Sequence, residues 1–158
     1  METTARCLVL ACGNTLRSDD GVGPRLAEWA AERFREDAGV RVVARQTWTP
    51  DLAEEIAAAE SVLFVDSSME SKPGRVNLIP VAPDGNGSKR SSHHLEAPEL
   101  LSLTRTLYGS MAAHAMLLTV GAGSTELGET FSVPVEAALP RARGVLEKAV
   151  MRFIESRI

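Results

Sequence analysis

Three places in this chain carry side chains that can handle a cation. The first is a loop, Gly13-Asn14-Thr15-Leu16-Arg17-Ser18-Asp19-Asp20-Gly21-Val22-Gly23, which joins an apolar run to a helical pattern. It holds two adjacent carboxylates. The second is Asp66, which directly follows the apolar run Val62-Leu63-Phe64-Val65. The third is the pair His93-His94, preceded by Ser91-Ser92. A neutral imidazole with two carboxylates is a mixed nitrogen and oxygen set that suits nickel or zinc. Adjacent histidines rarely both point into one site, so one of the two is expected to serve.

Each of these places also has a plainer explanation. Asp19 and Asp20 precede a helix whose first N–H groups lack internal partners, so one can cap it while the other faces a site. Asp66 can open a turn through Ser67 and Ser68. His93 and His94 can simply be solvated loop residues. His114 stands before a strand, at the opposite edge from these groups, and reads as structural.

Other chemistries fit the chain poorly. The first loop is longer than a dinucleotide fingerprint, and its carboxylates would repel a phosphate. There is no G-x-S-x-G elbow for a serine nucleophile. Cys7 and Cys12 are five positions apart in one apolar run, which puts them on opposite faces of a strand, poorly placed to bridge each other. They read as small core residues, unpaired as in the cytoplasm. Nothing provides the paired cysteines of a structural zinc site.

The elements that must position these groups alternate along the chain. Residues 6–12, 40–44, 61–66, 75–81 and 115–121 read as five strands, most of them apolar throughout. Between 21 and 34 the residues Val22, Leu26, Trp29, Ala30 and Phe34 recur at helical spacing. Further helices are expected over 51–59, 97–108 and 134–156, the last kinked or split by Pro140. Pro80 places the fourth strand near a sheet edge. Residues 83–94, rich in Pro, Gly, Asn and Ser, read as a long loop. Strands alternating with amphipathic helices mean an α/β fold, a parallel sheet covered on both faces. Active sites in such sheets lie beyond the carboxyl ends of the strands, which singles out the segments after Cys12, Val65 and Gly121.

Bulk properties agree with one ordinary domain over residues 1–158. The net charge of -4 and the scattered arginines argue against a nucleic-acid partner, which would need a clustered basic surface. Aromatic residues make up 4%, leaving little for a base-stacking platform. No apolar run approaches the about 20 residues of a membrane span, and the amino terminus lacks a signal-peptide pattern. A cytoplasmic protein is expected, and nothing in the composition asks for an oligomer, so a monomer is expected too.

The order of the motifs carries more than any one of them. From Leu8-Val9-Leu10-Ala11-Cys12-Gly13-Asn14 through Leu16, Asp19-Asp20-Gly21 and Gly23, the sequence resembles the opening of the hydrogenase maturation proteases. The resemblance continues at Leu63-Phe64-Val65-Asp66 and again at Ser91-Ser92-His93, so it spans most of the chain. It implies a three-layer α/β sandwich with a mostly parallel sheet. The implied activity is an endopeptidase that removes a C-terminal extension from the large-subunit precursor of nickel–iron hydrogenases after nickel insertion.

The likeness places Asp20, Asp66 and His93 on the metal, with nickel carried by the precursor rather than held permanently. An aspartate acting as general base, Asp20 or Asp19, is compatible with it. Asn14, Gly21 and Gly23 would lie against the substrate, the glycines allowing close backbone approach. Two departures stand out: Ala11 replaces a common glycine, and His94 next to His93 allows the ligand to shift by one. Two other readings remain: a different metal-dependent hydrolase on a similar sheet, and a non-catalytic nickel-handling module that binds the precursor without cutting it.

Overall fold

The computed structural model describes residues 5–83 and 95–155. Five strands, β1 (Ala5–Cys12), β2 (Val40–Arg45), β3 (Ala59–Ser68), β4 (Val76–Pro80) and β5 (His114–Gly121), form one sheet in the order β2-β1-β3-β5-β4. All neighbours pair parallel except β4, which runs antiparallel along β5 at the edge. Pro80, having no N–H to give a second neighbour, fits that edge place.

Four α-helices cover the sheet: α1 (Val22–Arg33), α2 (Ala53–Ala57), α3 (Ala97–Tyr108) and α4 (Val133–Glu155). Alternation along the strands divides the core between them. Cys7, Val9 and Ala11 of β1 and Leu63 and Val65 of β3 pack with α1 and α4. Leu8, Leu10 and Cys12, with Val62 and Phe64, pack with α2 and α3 on the other face. The result is the three-layer sandwich, and the two cysteines are free, buried and on opposite faces. Among the described residues no helix is long and apolar enough to cross a membrane.

Three local expectations are corrected. The second helix is shorter than 51–59, because Pro50–Leu52 form a 3-10 turn and Ala59 already pairs with Ala5 in the sheet. β3 does not stop at Asp66 but continues to Ser68, held by pairing with β5 as far as Gly121. Pro140 does not split α4, a continuous helix of 23 residues. Pro140 and Glu136 are both exposed, so the carbonyl that loses its partner four residues back can turn to water.

The topology makes one place special. The chain leaves β1 for β2 on one side and later adds β3 on the other, so the direction of winding reverses between β1 and β3. Ligands bind in sheets of this kind outside the carboxyl ends of the strands at such a reversal. Ala11 and Val65 form the last matched pair of the β1–β3 ladder. Past it β1 turns away at Gly13 while β3 runs on, leaving Asp66 at the opening.

Candidate active site

A cavity of about 530 Å³ opens at that point. Cys12, Gly13 and Asp20 line it from β1 and its following loop, Asp66 to Glu70 from the end of β3 and just past it, Gln46 to Trp48 from beyond β2, Leu95 to Pro98 from the entry to α3, and Leu117 and Thr119 from β5.

The loop after β1 brings Asp20 to the cavity by folding back on itself. Gly13 adopts φ +151°, and a Cβ there would come within 2.0 Å of the Asp20 carbonyl oxygen, so only glycine allows the return. Asp20 Oδ2 accepts the Asn14 backbone N–H at 2.7 Å, and Asn14 Oδ1 in turn accepts the Leu16 N–H at 2.9 Å. Asn14 thus shapes the loop that carries the carboxylate. Asp20 Oδ1 accepts the Ser67 hydroxyl at 3.0 Å, while the Ser67 N–H donates to Asp66 Oδ1 at 2.7 Å. One serine therefore ties together the carboxylates of two separate segments.

Asp66 is electrostatically strained. Burial is the main cause that pushes its carboxyl up to about 7, and the charges of Asp20 and Glu96 push the same way. The Ser67 N–H and the Cys12 thiol donate to the carboxylate and oppose the rise without cancelling it. Burial, followed by the charge of Asp66 and the same contact with it, pushes the Cys12 thiol far above its ordinary range, so it stays protonated and acts as a donor. Asp20, Asp66, Glu70 and Glu96 all line the cavity, and among the described residues no lysine or arginine does. Such a surface is complementary to a divalent cation, which would lower the repulsion between the carboxylates it touches.

This strain predicts a pH effect on stability. Between the ordinary carboxyl range and about 7, the unfolded chain has released the Asp66 proton while the folded protein retains it. Folding stability contributed by this group therefore falls as pH rises across that window, by at most about 4 kcal/mol. Asp66→Asn removes the penalty, so thermal unfolding should show the variant gaining on the parent from pH 5 to pH 8. A difference in Tm that is flat across this range would contradict the strain.

The neighbouring Asp19 has a different place. It is fully buried and does not line the cavity. Its Oδ1 accepts the Ser132 N–H at 2.7 Å; its Oδ2 accepts the N–H groups of Gly123 and Ser124 and the Ser132 hydroxyl, at 2.7, 3.0 and 2.7 Å. Burial opposes its ionisation, yet the hydrogen bonds from Ser132, Gly123 and Ser124 together hold its carboxyl below the usual range. Asp19 clamps the loop after β5 to the loop after β1. Neither Asp19 nor Asp20 caps the following helix, whose start at Gly21 has no side-chain cap; that expectation is corrected, because both carboxylates are taken up elsewhere.

Gly21 and Gly23 are buried. A Cβ on Gly23 would meet the Cys12 carbonyl oxygen at 2.3 Å and that of Val65 at 3.2 Å. The packing itself requires a glycine there, because α1 approaches the ends of β1 and β3 closely. Gly23→Ala should therefore cost about 1–3 kcal/mol by forcing the helix off the sheet, measurable as a lower denaturant midpoint. An unchanged midpoint would show that the contact can relax freely.

The structure brings Asp20 and Asp66 together, as the sequence order suggested. His93 and His94 lie outside the described residues. His114 begins β5 at the far edge of the sheet, exposed, with its ring stacked near Phe153 at 6.4 Å between centroids. Among the described residues no three His, Cys, Asp or Glu side chains gather closely enough to hold a metal ion. Sequence reasoning missed Ser67 and Cys12 as partners of the carboxylates. The signal for Cys12 was available, since its parity faces α3 and it is the last residue before the loop.

The chain is similar along most of its length to the hydrogenase expression/formation protein HoxM of Azotobacter vinelandii, with 31% identity over 153 residues covering 92% of this chain and 72% of that one. Its fold matches the hydrogenase maturating endopeptidase HybD of E. coli, with a TM-score of 0.75, 24% identity and 93% of each chain covered. It also matches the NiFe hydrogenase maturation protease HybD of Thermococcus kodakarensis, with a TM-score of 0.67, 26% identity, and coverage of 91% and 98%. No family profile matches the chain.

Proposed function

This chain belongs to the hydrogenase maturation endopeptidases, and from that premise we propose that its cavity reads the nickel site of a hydrogenase large-subunit precursor before the C-terminal extension is cut away. The observation that carries the proposal is the paired carboxylates at the winding reversal, Asp20 and Asp66, coupled through Ser67. Among the described residues two carboxylates are an incomplete coordination set for a resident ion, and a borderline metal such as nickel accepts mixed ligands. That fits a metal which arrives already held by the precursor and takes the cavity oxygens as additional contacts. His93, expected as the third contact from the resemblance, belongs to the same proposal.

In this reading the protein's own groups have separate duties. Asp20 and Asp66 face the metal-bearing segment and fix its position. Ser67 and Cys12 keep the carboxylates aimed, the first between them and the second beneath Asp66. Asp19 holds the loops; with both of its oxygens engaged, the proton of the attacking water passes to Asp20 or Asp66. Water made acidic by the metal, or a scissile carbonyl polarised by it, would lower the barrier further.

The activity is tested by incubating the purified protein with a matched full-length precursor and recording intact masses. The precursor should lose the mass of its extension and the released peptide should appear. A stable complex with no mass change would instead make the protein a binding module.

A further inference from the structure

Among the described residues two buried side-chain nitrogens have no hydrogen-bond partner, Trp48 Nε1 and Arg143 Nε. Arg143 sits on α4 and does not line the cavity, whereas Trp48 does. Trp48 is only 3% exposed. A buried indole N–H ordinarily finds an acceptor, because without one it forfeits the hydrogen bond it made to water. The carboxylates, Ser67 and Cys12 are all accounted for by one another; this donor is not.

Apolar neighbours hold the indole in place. Its ring meets Phe64 in a T-shaped contact with centroids 5.1 Å apart. It belongs to the buried cluster that Leu52, Ile56, Ala97 and Leu100 share on that face of the sheet. None of those side chains carries an acceptor. The Trp48 backbone is tied down as well, its carbonyl accepting the Leu95 N–H at 3.4 Å. Phe64 stands two residues before Asp66 on the same face of β3, so the indole packs beside the strand end that carries the carboxylate. The cavity is the direction from which an acceptor can come. Nε1 is covered in the free protein, so the ring has to give slightly as an occupant enters.

We propose that the Trp48 indole N–H binds a backbone carbonyl oxygen of the precursor segment that enters the cavity. The inference rests on the function proposed above and adds a substrate-binding residue to it. The chemistry of the cavity selects the acceptor. Asp20, Asp66, Glu70 and Glu96 line the same space, so an anionic acceptor would be repelled. A neutral oxygen is required, and the carbonyl is the one that every residue of a polypeptide supplies. A segment entering the cavity gives up water at its carbonyls, and one left without a donor carries its full desolvation cost. Ionised carboxylates accept N–H groups but have nothing to give a carbonyl. The indole, a donor only and uncharged, complements them.

The test pairs processing kinetics with the indole proton itself. Trp48→Phe keeps an aromatic ring against Phe64 and deletes the donor. With full-length, nickel-loaded precursor it should raise KM about fivefold, the size of one net hydrogen bond, with kcat retained. The second arm uses isotopically labelled protein carrying Asp20→Asn, which slows cutting, in a complex with unlabelled precursor confirmed by co-elution. In its proton–nitrogen spectrum the Trp48 indole proton should move downfield on complex formation. The chain has two tryptophans, so Trp29→Phe identifies the Trp48 resonance. This arm needs no change at position 48 and decides the matter if Trp48→Phe does not fold. A parental KM in folded Trp48→Phe protein would overturn the proposal, and is the result expected if the indole merely holds an ordered water. So would an indole resonance unmoved in the complex. Either result alongside normal cutting by the wild-type protein strikes this assignment alone, whereas failure of the wild-type protein to cut a matched precursor strikes the functional reading beneath it.

Discussion

Asp20→Asn and Asp66→Asn should each slow precursor processing by about a thousandfold, within the range that a positioned acid or base contributes, while leaving the protein folded. The fold survives because an asparagine can replace most of what each carboxylate does for its neighbours. At position 20 the amide oxygen can still accept the Asn14 N–H, and the amide nitrogen can donate to the Ser67 hydroxyl, which is able to accept. At position 66 the amide oxygen can accept the Ser67 N–H. What is lost is negative charge facing the metal-bearing segment. Since the two carboxylates share Ser67 and one cavity, the double variant should cost little more than either single change. Processing at the parental rate by either single variant would remove that carboxylate from the chemistry.

Asp19→Ala should act in the opposite manner, on the fold first. It strips the acceptor from three backbone N–H groups and one hydroxyl at a fully buried site. Each buried donor left without a partner costs about 1–3 kcal/mol, reduced where water enters the space. A total of about 4 kcal/mol is expected, equivalent to a fall in Tm of about 10 °C for a chain of this size. Asp19→Asn should be milder but still destabilising, because the amide has one oxygen where the clamp uses two. Calorimetry combined with processing rates separates this from a direct catalytic duty. An Asp19→Asn protein as stable as the parent but inactive would contradict the clamp and make Asp19 part of the chemistry.

These two predictions also show where sequence reasoning reaches and where it stops. The five strands were legible because buried parallel strands are near-continuous apolar runs, and the rule that sites lie beyond their carboxyl ends located both Asp20 and Asp66. Which of two adjacent aspartates faces the cavity was not legible. The difference is set by Gly123, Ser124 and Ser132, more than a hundred residues further on, whose donors converge on Asp19 only once β5 lies in the sheet. Gly23 was legible as important but for another reason than the one found, since its need to be small comes from the carbonyls of Cys12 and Val65. Ser67 looked like a turn residue because its partner Asp20 belongs to a loop that no local pattern places beside it. The end of β3 was misjudged for a related reason: Asp66-Ser67-Ser68 has the composition of a turn, yet the ladder with β5 extends it.

The central claim is that the cavity cuts only a precursor whose nickel site is filled. The most direct measurement is intact-mass spectrometry of one precursor preparation, split into nickel-loaded and nickel-free halves and treated with the protein in parallel. Loss of the C-terminal extension from the loaded half, with the free half unchanged, is the predicted result. Cleavage of both halves at the same rate would contradict it and leave Asp20 and Asp66 to serve the peptide bond without reading a metal.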